Sequence, residues 1–241
     1  MIVAVGLVPI YWVGMYNYEF ILVVSNVLFP LFAGVAAAVC FKAAKKYRWK
    51  GKLANVITGF FIASLFWFLA ELTWTIYVFI FGIEVPYPSL VDVFYVAGYV
   101  ACYIAFAFYL NFFREVLNRR IGGVIVGVAA AFTAIVALTL LGPMATSEVK
   151  ILEKTLNLTY PVLDIALFAA SLAGVFVFLK GRLSVVWMLI SATFLMDSMA
   201  DILFSYIDFT GMYYEGHPVE LPFLWAYLLF ILALWIHLKE L

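Results

Sequence analysis

Seven stretches of this chain are too long and too apolar for the helices of a water-soluble domain. They run from about Phe20 to Lys42, Leu53 to Phe81, Leu90 to Phe113, Ile121 to Leu141, Leu158 to Leu179, Leu183 to Ile207 and Leu221 to Leu238. A helix needs ~20 such residues to cross the hydrocarbon of a bilayer. Inside lipid every backbone N–H and C=O must be satisfied within the segment, so spans of this kind fold as helices. Composition agrees, since 68% of the 241 residues are apolar and 12% are charged, where a soluble surface needs about a quarter. The expected class is all-α: a polytopic seven-transmembrane helix bundle, a single membrane domain over 1–241, multi-pass in the cell membrane with the lipid bilayer around it. Residues 1–18 lack the positive region and cleavage site of a signal peptide. They are short for a span and read as an outer interfacial or re-entrant segment.

Lysine and arginine are retained on the cytoplasmic side of a membrane protein. In the seven-span arrangement Lys42, Lys45, Lys46, Arg48, Lys50, Lys52, Arg114, Arg119, Arg120, Lys180, Arg182 and Lys239 fall on one side, and only Lys150 and Lys154 on the other. That partition predicts the N-terminus outside and the C-terminus inside. The outer loops carry Glu84, Glu148, Glu153, Asp208, Glu215 and Glu220. Net charge is zero, which leaves no basic surface for nucleic acid. Cys40 and Cys102 stand singly in apolar segments and read as packing residues.

An internal repeat is visible at an offset of 130 positions. Gly51-Lys52-Leu53 matches Gly181-Arg182-Leu183, Ala70-Glu71-Leu72 matches Ala200-Asp201-Ile202, and the Asp92 region matches the region of Trp225. The arrangement predicted is three helices (20–113), a linker helix (121–141) and three more in the same orientation (158–238). Parallel repeats of this type place binding sites near the midplane, where the halves meet. The linker helix carries Gly123-x-x-x-Gly127 followed by several alanines, a pattern that lets another backbone approach closely. That partner is expected within the bundle, or else in a homo-oligomer.

Five acids lie within the predicted spans: Glu71, Asp92, Asp164, Asp197 and Asp201. A carboxylate at the centre of a membrane helix costs about 2.5–3.5 kcal/mol on the translocon scale, so it needs a partner or a task. No lysine or arginine lies at hydrocarbon depth to neutralise them. Asp197 and Asp201, one helical turn apart, share a face. Asp92 follows Ser89 by three residues, the spacing of a capping box. Asp164, just after Thr159-Tyr160-Pro161, reads equally as a first-turn acid facing the helix dipole. Aromatic side chains accompany the acids. Trp67, Trp74 and Tyr77 share a face with Glu71, Tyr95, Tyr99 and Tyr103 extend the face of Asp92, and Trp225 opens the last span. Carboxylates inside an aromatic box suit a cationic guest.

Other chemistries lack their residues. The two histidines, His217 and His237, fall at opposite ends, which rules out bis-histidine haem and histidine-based zinc hydrolysis. The last span has no lysine for retinal. No cofactor is expected beyond a metal ion or sodium; a metal, if bound, would sit on Asp197, Asp201 and Glu71.

The run Pro86-Tyr87-Pro88-Ser89-Leu90-Val91-Asp92-Val93-Phe94-Tyr95, with Gly98-Tyr99 behind it, resembles the PYPSLAD-x-FY-x-x-x-Y signature in multi-span membrane regions of prokaryotic sensors fused to diguanylate cyclases or histidine kinases. The resemblance covers about Phe66 to Tyr103. It implies a region that senses signals in the membrane or outside it; this chain carries no output domain, so a separate signalling partner on the cytoplasmic side is implied. The expected function is a ligand-binding protein of sensor or receptor type for a cation or small amine. Its site is expected to use Glu71, Asp197, Asp201, Asp92, Asp164, Trp67, Trp74, Tyr95, Tyr99 and Trp225. The alternatives are a small secondary transporter coupled to protons or sodium and, third, a metal-dependent intramembrane enzyme.

Overall fold

A computed structural model describes residues 2–112, 119–177 and 182–240, and no strand occurs among them. The ends of the third and fifth expected spans (Phe113 and Leu179), together with Arg114, Lys180 and Gly181, lie outside the described residues. The helices are α1 (Ile2–Gly14), α2 (Tyr18–Lys46), α3 (Lys52–Ile76, prolonged by a π-turn over Tyr77–Phe81), α4 (Leu90–Phe112), α5 (Arg119–Thr146, with a π-turn over Ala137–Leu141), α6 (Ile151–Val177), α7 (Arg182–Phe209) and α8 (Leu221–Glu240, entered through a 3-10 turn at Pro218–Glu220). Seven of these, α2 to α8, are long and apolar enough to cross a membrane.

Local chemistry sets the helix ends. Asn17 caps α2 by accepting from the Phe20 N–H at 3.1 Å. Gly82, at φ +62°, closes α3 in the left-handed conformation that glycine adopts without steric cost. Ser89 and Asp92 cap α4 reciprocally: the Ser89 hydroxyl accepts from the Val91 N–H, and the Asp92 carboxylate accepts from the Ser89 N–H at 2.6 Å. The start of α6 differs from the expectation. It begins at Ile151, with Glu153 in its first turn, and runs straight through Pro161. Asp164 is therefore mid-helix rather than a first-turn acid. A proline removes one N–H donor, a loss that membrane helices packed against neighbours tolerate.

Six helices form a closed ring in the order α2, α3, α4, α6, α7, α8 and back to α2. The fourth long helix, α5, stands outside the ring against α6. It buries only Val136, Leu140 and Met144, and its Phe132 stacks on Phe168 at 4.0 Å. α1 is apolar around its whole circumference and lies in the groove between α2 and α8, where Leu7 and Tyr11 pack on Ile21, Leu221 and Leu224.

The ring is solid at the end that carries the lysines and arginines. One phenylalanine from each of four helices meets there: Phe60 (α3), Phe106 (α4), Phe194 (α7) and Phe230 (α8), none more than 3% exposed. Their rings lie 5.1–6.1 Å apart in stacked and edge-on pairs, the separations at which aromatic pairs gain beyond area burial. Cys40 and Cys102 are buried in the same core.

Close helix approach occurs at small residues other than the expected ones. A Cβ on Gly59 would lie 2.8 Å from the Ala105 Cβ, and one on Gly174 would lie 2.2 Å from the Ser191 Oγ. No described residue lies within 4 Å of a Cβ on Gly122, Gly123 or Gly127. The expected intramolecular partner for the Gly123/Gly127 face is thus not found among the described residues, because α5 turns a different stripe, Val136, Leu140 and Met144, towards α6. Gly59→Val should force α3 and α4 apart and lower the melting point, at a cost of about 1–3 kcal/mol for overpacking. Gly127→Val should leave the melting point of the detergent-purified monomer unchanged. Differential scanning fluorimetry of the two variants reads the contrast directly.

Candidate functional site

Helical spacing delivers one stripe from each ring helix to a central space. On α3 the inward stripe is Phe60, Ser64, Trp67, Glu71 and Trp74; on α7 it is Phe194, Asp197, Asp201, Ser205 and Asp208; on α8 it is Phe223, Tyr227 and Phe230. Three- and four-residue steps keep each set on one side of its helix. Above the phenylalanine floor these stripes enclose a cavity of about 350 Å³. Its far end is bounded by the α3–α4 loop (Val85, Pro86, Tyr87) and the α7–α8 loop (Tyr213, Glu215), away from the basic end. Tyr87 donates to Asn157 Oδ1 at 2.7 Å and so fastens the first of these loops to α6; burial and the neighbouring Asp92 raise the Tyr87 phenol above its ordinary range.

The cavity wall carries seven carboxyl groups, Glu71, Asp92, Asp197, Asp201, Asp208, Glu215 and Glu220, and no lysine, arginine or histidine. They divide by what they already hold. Glu220 is 4% exposed and accepts four hydrogen bonds: Tyr11 at 2.8 Å and Ser25 at 2.6 Å on Oε2, Tyr213 at 2.9 Å and the Gly216 N–H at 2.7 Å on Oε1. Tyr11 and Tyr213 are both raised, first by burial and then by the Glu220 charge, so each stays a donor. Glu215 accepts from Asn26 Nδ2 at 2.7 Å and from Trp74 Nε1 at 3.3 Å. Asp92 is held by its own cap and by Tyr160 at 2.8 Å.

The deeper acids are less occupied. Glu71, 9% exposed, meets a long 3.4 Å contact from Tyr227 and a hydrogen bond from Tyr95. Asp201 accepts from the Tyr99 hydroxyl at 2.7 Å. No donor among the described residues reaches Asp197, whose carboxyl borders the cavity. Trp67 lies edge-on to Tyr99, with centroids 6.0 Å apart, and its indole nitrogen would be 2.5 Å from a Cβ at position 98. Glycine at 98 is what makes room for that ring.

Of the ten residues expected at the site, Glu71, Asp197, Asp201, Asp92, Trp67, Trp74, Tyr95 and Tyr99 border one cavity. Two do not. Asp164 is fully buried behind Tyr99, whose hydroxyl donates to it. Trp225 faces away from the ring and donates to the Ala4 carbonyl oxygen at 3.0 Å; a tryptophan on α8 serves there to hold α1, because the cavity stripe of that helix falls on 223, 227 and 230. Sequence reasoning also missed residues. By sequence Glu215 and Glu220 are outer-loop charges, and nothing local singles out Asn26 or Tyr213 as their partners. Glu220 opens a helix beside Pro218 and Pro222, the one local sign that it is not simply solvated. His217 caps the same turn, its Nδ1 accepting from the Val219 N–H at 3.0 Å, and burial lowers its basicity. Among the described residues no three His, Cys, Asp or Glu side chains gather as a metal-ion set.

No family model, curated protein or solved structure matches this chain.

The division among the acids has a direct consequence for stability. Glu220→Gln turns an NH₂ group towards fixed donors and should cost about 1–3 kcal/mol, the usual penalty for a buried polar group left unsatisfied. Asp197→Asn should leave the melting point unchanged, since no internal donor is lost. Thermal melts of the two purified variants separate these outcomes.

Proposed function

We propose that this membrane protein is a ligand-binding protein of sensor or receptor type, whose cavity faces outward and takes a small organic cation. The observation that carries the reading is the cavity wall, seven carboxyl groups without a single cationic side chain. Acids taken out of water without partners are costly. Glu220, Glu215 and Asp92 obtain their donors from the protein, Glu71 meets Tyr95 and a distant Tyr227, and Asp197 has no donor among the described residues. A guest that brings positive charge supplies what they lack. The volume, about 350 Å³, falls in the range of small-molecule pockets. Trp67, Tyr95, Tyr99 and Tyr227 offer ring faces for an ammonium group. Glu71, Asp197 and Asp201 are the proposed charge partners, and Trp74 and Asp92 belong to the upper wall.

The outward orientation rests on the concentration of lysine and arginine at the opposite end of the bundle. The resemblance of Pro86 to Tyr99 to sensor membrane regions favours a receptor, with a separate signalling partner on the cytoplasmic side. A secondary transporter is the second reading. What favours it is the ring of six with α5 outside, the layout expected of two parallel three-helix repeats around a linker.

Purified protein should show a saturable rise in melting point with a small organic cation such as protonated ethanolamine or the quaternary ion tetramethylammonium. The rise should reach about 2.7 kcal/mol of added stability at a hundred times the dissociation constant. Asp197→Asn should abolish the rise while leaving the ligand-free melt in place. A flat response to every amine, with sodium and magnesium as controls, would overturn the organic-cation reading. Amine flux into proteoliposomes driven by an ion gradient would move the assignment from receptor to transporter.

A further inference from the structure

Asp164 is the acid that the cavity does not use. It is 0% exposed, one of its oxygens faces the Tyr99 hydroxyl, no donor reaches the other, Oδ2, and its carboxyl also lies within hydrogen-bonding reach of the Asp201 carboxyl. The same Tyr99 hydroxyl lies 2.7 Å from Asp201 Oδ2 on the cavity wall. A phenol carries one proton and can donate to one acceptor at a time. Two ionised carboxylates flanking it would leave one oxygen–oxygen contact without a hydrogen. The arrangement is complete when one further proton is present: Asp164 donates to the Tyr99 oxygen while Tyr99 donates to Asp201, or the two carboxyls share that proton directly. In the first of these states Oδ2 of Asp164 is a neutral carbonyl oxygen, which is much less costly to bury unpaired than a carboxylate oxygen.

Among the described residues nothing else nearby could supply the missing charge. The titratable groups that face the trio are Glu71 from α3, Asp92, Tyr95, Cys102 and Tyr103 from α4, Tyr160 from α6, Asp197 from α7 and Tyr227 from α8. All are acids or neutral hydroxyl and thiol groups.

We infer that Asp164, Tyr99 and Asp201 form a proton-exchange relay, in which a cation seated against Asp201 and Asp197 displaces one proton stored on Asp164. The inference rests on the cation-binding reading and adds its coupling to protons. The displaced proton has a defined route. The Tyr99 proton passes to Asp201 and leaves to the cavity, and the Asp164 proton moves onto the Tyr99 oxygen. Tyr99 then turns its hydroxyl bond to Asp164, which is now the ionised partner. Asp201 is left with both oxygens free for the guest. Asp164 therefore acts through Tyr99 as a positioning residue and never touches the ligand. Because proton and guest compete, binding weakens as pH falls, by up to tenfold per pH unit below the range in which the relay titrates.

Tetramethylammonium, which carries no ionisable proton, is the probe for the test. Added to purified protein in weakly buffered detergent solution, it should release about one proton per bound cation, read with a pH-indicating dye. The infrared difference spectrum should show loss of a protonated carboxyl carbonyl band. Tyr99→Phe, which keeps the ring and removes the relay hydroxyl, should release less proton per cation still bound, its affinity being measured alongside because Tyr99 lines the site. Asp164→Asn should bind with neither the release nor the band. Binding by the wild type without proton release would overturn the relay and leave the cation site standing. Release that persists undiminished in both variants would also overturn it. If tetramethylammonium and the other amines fail to shift the melting point at all, the cation reading itself falls, and the relay with it.

Discussion

Carboxyl groups held out of water with no lysine or arginine to meet them are the constraint on which the rest of this structure depends. Each must find a donor, be protonated or await a guest. Among the described residues the donors are mostly tyrosines. Tyr11 and Tyr213 serve Glu220, Tyr160 serves Asp92, Tyr99 lies between Asp164 and Asp201, and Tyr95 and Tyr227 approach Glu71. Tyrosine suits the task because its ring is at home between apolar helices while its hydroxyl reaches across the gap. The hydroxyl bonds also close the ring of helices. At the α4–α6 joint the links are Tyr160 to Asp92, Tyr99 to Asp164, and Tyr103 to the Leu163 carbonyl oxygen.

That constraint sorts the acids by depth. Near the loops, Glu215 and Glu220 are consumed in holding the α7–α8 connection to α1, α2 and α3, so their charge shapes the mouth and its walls. One or two turns deeper, Glu71, Asp197 and Asp201 face open volume with fewer protein donors. Below them the four phenylalanines exclude water and give the cavity a floor. A charged guest in such a place interacts more strongly than it would in solvent, because the surrounding dielectric is low.

The position of α5 follows from packing rather than hydropathy. It is the most apolar of the seven long helices by mean hydropathy, at 2.6 over its best window, yet it contributes little to the core. A helix whose outward faces are all apolar can rest against lipid as readily as against protein, since lipid tails are as apolar as leucine. The ring helices are held in place by polar and small-residue contacts instead. Gly59 against Ala105, Gly174 against Ser191 and Gly98 under Trp67 are the close approaches on which the ring depends.

Seven membrane-length helices, the concentration of cations at one end and the facing of Glu71, Asp197 and Asp201 were legible in the sequence. Length, charge and a period of 3–4 residues carry that information locally. The cap formed by Ser89 and Asp92 was legible for the same reason, because all its atoms lie within one turn. The opposite holds for Asp164, Trp225, Glu215 and Glu220. Whether an acid lines a cavity or sits behind a tyrosine depends on which neighbour fills the space between two helices, and a residue's own segment does not contain that neighbour. Glu220 reads as a loop charge until Tyr11, some 209 positions away, is brought against it. Local periodicity thus determined which faces are polar. Only the closing of the ring decided which of those faces meet, because a hydrogen bond between helices is set by distances that no single helix specifies.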